Sequence, residues 1–165
     1  MLYRLAGASV GRAGCALRTG AGHAVATDLP VMAGGAAIAA QPVELMIAAL
    51  LGCKVATAHY VARHLFPRPH NKIESIVWED VVGKRDEKGP LALPIEQPPP
   101  VFPGLASVTG VALVRLPPGS PVSAADVAKL GELVEQRCPV AAMFVAAGCD
   151  MDMEWRLDVG DGAER

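Results

Sequence analysis

The feature that most constrains the fold of this 165-residue chain is a long apolar segment that begins at Pro42 and ends before Pro67 and Pro69. Proline is favoured in the first turn of a helix and stops a helix that reaches it. The first half of the segment is apolar or alanine on nearly all sides, which is typical of a helix surrounded by protein. We therefore predict a central helix that runs from Pro42 to about Phe66.

The same segment raises the question of a membrane span. Its longest apolar run, Leu45 to Cys53, is too short to cross a bilayer, and the charged residues Glu44 and Lys54 bracket it. We therefore expect a buried helix and no membrane partner. The first 27 residues contain arginines and no acidic residue, a weak mitochondrial presequence signal. A hairpin predicted within this stretch favours a folded segment instead.

Composition sets the class of protein. A hydrophobic fraction of 52% is enough to bury a sizeable core, and the length suits a single domain over residues 1–165. The net charge is -2 and no basic stripe occurs, so we expect no nucleic-acid partner. No secretory segment is evident, so we expect a cytoplasmic protein whose thiols stay reduced.

Turn residues and periodicity divide the rest of the chain. A glycine-containing turn predicts a hairpin over residues 15–28, and Gly34-Gly35 in the next loop can adopt positive φ or allow close backbone approach. Ser123 with Asp126 is a favoured helix N-cap, and Gly148 suits a helix end. We also predict strands at 72–82 (ended by the turn-like residues 83–86), 108–116 and 153–159, a proline-rich loop at 89–104, and helices at 124–137 and 139–147. This order predicts an α+β fold with helices packed on an antiparallel or mixed sheet.

Two of the four cysteines stand out by position. Cys53 lies inside the central helix. Cys138 lies directly before Pro139, near the N-cap of the last helix, where free N–H groups and the helix dipole favour a thiolate. Cys15 and Cys149 fit strand or strand-edge positions, where a cysteine usually only packs.

A reactive Cys53 needs a nearby cation to stabilise its thiolate, because it has no helix terminus of its own. From sequence, Arg12, Arg137 and Lys54 are the candidates. A zinc site is not predicted, because the chain has no Cys-x-x-Cys spacing and no histidine in a ligand pattern. We therefore expect no metal and no cofactor.

Three segments resemble the family of osmotically inducible protein C and organic hydroperoxide resistance proteins (OsmC/Ohr). The first is Asp28-Leu-Pro through Gly35. The second is Gln41 to Cys53, in which Pro-x-Glu-Leu is followed by apolar and alanine residues up to the cysteine. The third is Arg137-Cys-Pro-Val140. Together with the order of elements, the resemblance covers nearly the whole chain.

The resemblance implies an OsmC-like fold of sheets packed on a long central helix, and an intertwined homodimer with two active sites at its interface. It implies a peroxidatic Cys53 and a resolving Cys138, which act on an organic hydroperoxide and are reduced by an external dithiol. Gly11-Arg12-Ala13-Gly14 matches the turn that supplies a thiolate-pairing arginine in Ohr-type members, so the resemblance favours Arg12.

One departure from the Ohr pattern concerns the glutamate that holds this arginine. Ohr-type members place it directly after the helix-opening proline, where this chain has Val43, and Glu44 follows one residue later. One residue turns a side chain by about 100° around a helix. Glu44 is thus a candidate for that role or simply an acidic residue of the first turn, and the chain is identified as a divergent OsmC-like member.

The resulting hypothesis is a thiol-dependent peroxidase that forms a sulfenate on Cys53 and then a Cys53–Cys138 disulfide. Two other classes fit the same residues. One is a non-peroxidatic protein that binds a small apolar or thiol-reactive molecule. The other is a thiol hydrolase or acyl carrier that uses Cys53 alone.

Overall fold

A computed structural model describes residues 2–159. Contacts divide the chain into two compact units, with the boundary between Ala49 and Leu50. The first unit contains an antiparallel sheet of three strands in sequential order. Its strands are β1 (Leu5–Val10), β2 (Gly14–Thr19) and β3 (Ala24–Thr27).

The hairpin predicted over residues 15–28 is confirmed as β2 and β3, but β1 was not predicted. All six residues of β1 are exposed, so it shows no alternation of buried and exposed positions that could reveal a strand. It pairs with β2 through a turn in which Gly11 has a φ of 61°. Glycine adopts this conformation without steric cost.

Asp28 organises the loop that follows β3. Its carboxylate accepts hydrogen bonds from the backbone N–H groups of Leu29, Ala36 and Ile38. These bonds hold the pKa of the Asp28 carboxyl below its ordinary value of 3.8. The loop contains a short 3₁₀ helix, Val31–Ala33, that was not predicted.

The two glycines of this loop have the roles that the sequence predicts. Gly34 has a φ of 89°, and a Cβ on Gly35 would collide with the carbonyl oxygen of Leu29. The first glycine therefore supplies a left-handed turn, and the second allows the backbone to approach itself closely.

The second unit contains a mixed sheet of three strands in the order β4-β5-β6. β4 (Ser75–Arg85) pairs antiparallel with β5 (Leu105–Arg115), and β5 pairs parallel with β6 (Asp150–Leu157). The α+β class with a mixed sheet is confirmed. The clean alternation around Met153 and Trp155 marks β6, in which both side chains are buried.

The strand boundaries in this unit differ from the prediction. β4 begins at Ser75 and not at residue 72, and β6 spans Asp150–Leu157 and not residues 153–159. The turn-like residues 83–86 do not end β4, because residues 83–85 pair with β5. The irregularity lies earlier, where Asp80 has a φ of 49° and the register shifts between Glu79 and Val82. β5 begins three residues before Val108, and the proline-rich loop holds one helical turn, α2 (Lys88–Leu91).

The helices have the predicted bounds to within a residue. They are α1 (Pro42–Leu65), α3 (Ala124–Arg137) and α4 (Pro139–Ala146). Ser123 and Asp126 form a complete capping box at α3. Gly148, two residues beyond α4, has a φ of 81°.

The core of the second unit packs α1 and α3 onto the sheet. Its buried members are Ala58, Val61, Ala62, Phe66, Ile73, Ala112, Val114, Val122, Val127, Leu130, Val134 and Trp155. Gly131 allows α3 to lie close to β6, because a Cβ there would collide with the Trp155 ring.

The prediction that α1 is surrounded by protein does not hold within the described chain. Its buried residues, between Leu50 and Ala62, form one side of the second half, where Tyr60 and Arg63 are exposed. Residues 42–49 alternate between half-buried and exposed, and Met46 is 52% exposed. The first half of the helix is therefore as apolar as a core helix without being covered as one by the described part of the chain.

Among residues 2–159, α1 is the one helix that is long and apolar enough to cross a membrane, judged by length and composition alone. The central helix of a folded core passes the same test. Within α1, Lys54 is fully buried, and Ala58, Val61 and Ala62 belong to the core. These contacts are those of a core helix.

A buried ion pair joins α1 to α3. The ammonium of Lys54 is fully buried and donates a hydrogen bond to Glu135, whose side chain is 31% exposed. A charge removed from water must be paired, so each partner depends on the other.

We expect Glu135→Gln to destabilise the protein by about 2–3 kcal/mol, because it leaves a buried ammonium without its counter-charge. This value lies below the range for a fully buried pair since Glu135 keeps some contact with water. The double variant Lys54→Met/Glu135→Gln removes both charges, and we expect it to recover most of the loss. Urea unfolding measures both effects, and a double variant no more stable than Glu135→Gln would contradict the argument.

Candidate functional site

The structure brings Cys53 and Cys138 together. Cys53 is half-buried in the middle of α1, and Cys138 is fully buried at the junction of α3 and α4. The two thiols are close enough for Cys53 to raise the pKa of the Cys138 thiol, and both are free. Residues separated by more than 80 positions in sequence thus meet because α1 and α3 pack in one core.

The local fold fixes Cys138 in two ways. Its φ of -72° and ψ of 114° end α3, as the residue before Pro139 must, and its Sγ accepts a hydrogen bond from the N–H of Ala141 at 3.5 Å. Cys138 is therefore the N-cap of α4, as its position in sequence predicts.

Burial of Cys138 outweighs the lowering of its thiol pKa that the helix terminus produces. Burial raises the pKa of the Cys138 thiol above its ordinary value of 9.0, and the neighbouring Cys53 thiol raises it further. The N–H groups of Ala141 and Val140 act in the opposite direction but do not offset burial. The N–H groups of the helix terminus thus favour the Cys138 thiolate as predicted, but burial, which sequence position does not reveal, outweighs them.

Cys53 opens on a cleft of about 460 Å³. The cleft is lined by Cys53, Ala56, Thr57, Tyr60, Arg137 and Pro139. Its walls are therefore mostly apolar, with one phenol, one hydroxyl and one guanidinium among them. The Thr57 hydroxyl donates to the carbonyl oxygen of Cys53 at 2.8 Å, so it is engaged with the helix backbone.

Two lining residues, Thr57 and Tyr60, were not identified from sequence. Tyr60 follows Cys53 by seven positions, which places both on one face of α1. That spacing could have indicated Tyr60 as a neighbour of Cys53, but an aromatic residue at helical spacing usually belongs to a core. Tyr60 instead is exposed, and its ring lies tilted by 53° against the ring of His64, with 4.9 Å between the ring centroids.

Arg12 and Glu44 lie in the first unit. Arg12 is exposed in the turn between β1 and β2. The Glu44 carboxylate accepts a hydrogen bond from the backbone N–H of Gln41 at 2.8 Å, which closes the first turn of α1. No ion pair between Arg12 and Glu44 is present in the part of the chain that the structure describes.

Lys54 follows Cys53 directly in sequence, but its charge is committed to Glu135. Cys15 lies half-buried in β2, and Cys149 is buried directly before β6, as predicted for packing cysteines. Residues 2–159 contain no group of three or more histidine, cysteine or acidic side chains arranged to hold a metal ion.

Comparisons with known proteins identify the fold. No protein-family model and no curated protein matches the chain in sequence. Solved structures do match. An OsmC-like protein from Mycoplasma pneumoniae is 16% identical with a TM-score of 0.71, and the match covers 95% of this chain and 97% of that one.

Two further structures widen the comparison. An OsmC-like protein of unknown function from Vibrio cholerae is 11% identical with a TM-score of 0.70, covering 96% and 99% of the two chains. An organic hydroperoxide resistance protein from Bacillus subtilis is 16% identical with a TM-score of 0.58, covering 96% and 98%. The chain therefore has the OsmC-like fold that its motifs predict.

The environment of Cys138 predicts a difference in reactivity between the thiols. In the folded protein at pH 8, we expect iodoacetamide to modify Cys138 about tenfold more slowly than Cys53, because Cys138 is fully buried, burial raises the pKa of its thiol, and the thiolate is the nucleophile. Peptide mass spectrometry after timed quenching measures each rate. In denaturant the two rates should converge, and equal rates in the folded protein would contradict the burial of Cys138.

Proposed function

We propose, from the OsmC-like fold and its paired thiols, that this protein is a thiol-dependent peroxidase that reduces organic hydroperoxides. The observation that carries the proposal is the meeting of Cys53 and Cys138 beside one cleft. Two thiols in this arrangement can pass between dithiol and disulfide, the change that couples peroxide reduction to an external reductant.

In the first step, the Cys53 thiolate attacks the terminal oxygen of the hydroperoxide. The O–O bond breaks, the sulfur gains that oxygen as a sulfenic acid, and the remaining alkoxide takes a proton and leaves as an alcohol. The half-exposed position of Cys53 allows this attack, since the cleft reaches its sulfur from one side.

In the second step, the Cys138 sulfur displaces the new oxygen from Cys53. A disulfide forms and water leaves, so the two electrons given to the peroxide have come from the two sulfurs. An external dithiol restores both thiols by exchange. Burial of Cys138 keeps this second sulfur away from peroxide, because a neutral buried thiol is a poor nucleophile.

The apolar cleft walls support an organic substrate. Ala56, Pro139 and the Tyr60 ring offer carbon surface next to the sulfur, whereas hydrogen peroxide has no apolar group to contact them. Burying apolar surface gives an organic peroxide additional binding energy.

Arg12 is proposed to stabilise the Cys53 thiolate and the charge that develops on the leaving oxygen. Its turn matches the arginine-bearing turn of Ohr-type proteins, and Gly11 gives that turn its shape. Glu44 is proposed to act as a positioning residue, because its carboxylate closes the first turn of the helix that carries Cys53.

We further propose that the 165 residues work as one OsmC-like domain in a cytoplasmic homodimer. The incompletely covered first half of α1 supports a second copy of the chain, since an apolar helix of this kind is stable when protein surrounds it. Reducing surroundings suit a site whose resting form is two free thiols.

With a dithiol present, we expect the wild-type protein to consume cumene hydroperoxide with a kcat/KM about tenfold above that for hydrogen peroxide, since partial burial of a phenyl group is worth roughly 1.4 kcal/mol. Cys53→Ser should abolish consumption. Cys138→Ser should complete its first turnover and then stall as the sulfenic acid. Stopped-flow peroxide consumption and intact mass measure these outcomes.

Cys15→Ser is the matched control, because Cys15 lies in β2 outside the cleft lining, and its turnover should equal that of wild type. Consumption of neither peroxide by wild type would reject the peroxidase. Binding of cumene hydroperoxide without turnover would favour a binding protein, and full dithiol-driven turnover by Cys138→Ser would remove the resolving role.

The dimer has a separate test. Sedimentation equilibrium should give a mass about twice the 17.1 kDa of the chain. Met46→Glu places a charge on the partly exposed first half of α1 and should shift the protein toward monomer. Met143→Glu adds the same charge to an exposed methionine of α4 and serves as the control. A wild-type protein that sediments as a monomer would contradict the homodimer.

A further inference from the structure

Arg137 is the basic side chain that lines the Cys53 cleft. It is the last residue of α3, directly before Cys138, and its side chain is exposed. The same side chain also lines an adjoining pocket of about 270 Å³ with Tyr60, His64 and Leu133. Its place at the end of α3 therefore puts Arg137 in the lining of the cleft with Cys53 and directly before Cys138 in the chain.

The guanidinium of Arg137 is not committed elsewhere. Over residues 2–159 it forms no hydrogen bond and no ion pair, in contrast to Arg115 and Arg156, which are both held by carboxylates. Lys54, the basic residue next to Cys53 in sequence, is buried against Glu135. Arg137 is thus a cation free to respond to a charge that appears in the cleft.

We propose that Arg137 is a catalytic residue that donates hydrogen bonds from its guanidinium to the Cys53 thiolate and then to the oxygen that leaves the peroxide. The inference rests on the proposed peroxidase function. It adds Arg137, at the end of α3, to Arg12, the cation proposed from the β1–β2 turn. No bond to Arg137 forms or breaks. Its fixed charge stabilises negative charge first on sulfur and then on oxygen.

The position of Arg137 also orders the two steps. Before oxidation, negative charge on Cys53 opposes ionisation of Cys138, and in the proposed role the same charge attracts the guanidinium. Conversion of the thiolate to a neutral sulfenic acid removes that opposing charge and releases Arg137. Arg137 directly precedes Cys138 in the chain. Once the negative charge on Cys53 is gone, the Cys138 thiol loses an unfavourable interaction and keeps a nearby cation, so it is easier to ionise only after Cys53 has reacted.

The test compares Arg137→Gln and Arg137→Lys with Arg63→Gln in the 165-residue chain. Arg63 lies on α1, is exposed and lines no part of the cleft, so its variant removes one positive charge without touching the site. Alkylation of Cys53 is followed by peptide mass spectrometry from pH 5 to pH 10, a readout that does not depend on peroxidase activity. Steady-state consumption of cumene hydroperoxide is measured in parallel.

We expect Arg137→Gln to move the midpoint of the alkylation profile of Cys53 up by about one pH unit, as loss of a neighbouring opposite charge does. Alkylation near pH 7 and kcat should then fall about tenfold. Arg137→Lys should recover part of both, because it restores charge but not the planar hydrogen-bonding group. Arg63→Gln should match wild type.

An unchanged midpoint in Arg137→Gln would overturn the proposal, and an increase in KM alone would assign Arg137 to substrate binding instead. The two proposals fail separately. A shifted midpoint in a protein that consumes no peroxide keeps the pairing of Arg137 with Cys53 and removes the peroxidase. Peroxide consumption that is identical in wild type and Arg137→Gln removes only the role of Arg137.

Discussion

The contact between Lys54 and Glu135 is the interaction on which the arrangement of the site depends. It fixes α1 against α3 at a point one residue from Cys53 and three residues from Cys138. Separating this ammonium from its carboxylate would cost about 2–3 kcal/mol, so sliding or rotation of the helices past each other is penalised. Apolar packing around Ala58 and Leu130 is less directional, because carbon surfaces can repack at small cost. The ion pair thereby adds a registry that the hydrophobic core alone does not supply.

Two cations and two thiols in this region differ in their exposure, and this difference gives each a different electrostatic environment. Lys54 uses its charge inside the protein, whereas Arg137 presents its charge to the cleft. Cys53 lines the cleft, whereas Cys138 is fully buried outside the cleft lining, and burial raises the pKa of its thiol. A pair of similar thiols and a pair of similar cations thus become different through exposure alone, without any difference in covalent chemistry.

The sequence predicts most of the fold because its strongest signals are local. Pro42, the capping box at Ser123 and the alternation through Trp155 each specify an element from a few residues. β1 was not predicted because both of its faces are exposed. The end of β4 was predicted too early because pairing with β5 overrides the turn preference of residues 83–86. Propensity describes a segment alone, whereas a strand is completed by its neighbour.

The site was less predictable than the fold. The motifs identify Cys53 and Cys138, but the cleft, Tyr60 and the burial of Cys138 arise from packing between elements distant in sequence.

The cap on α4 has a consequence of its own. Its first turn is tied to a sulfur atom instead of the usual serine or aspartate oxygen. In the proposed disulfide this sulfur gains a covalent bond to Cys53, so the atom that caps the start of α4 is also the atom that oxidation changes.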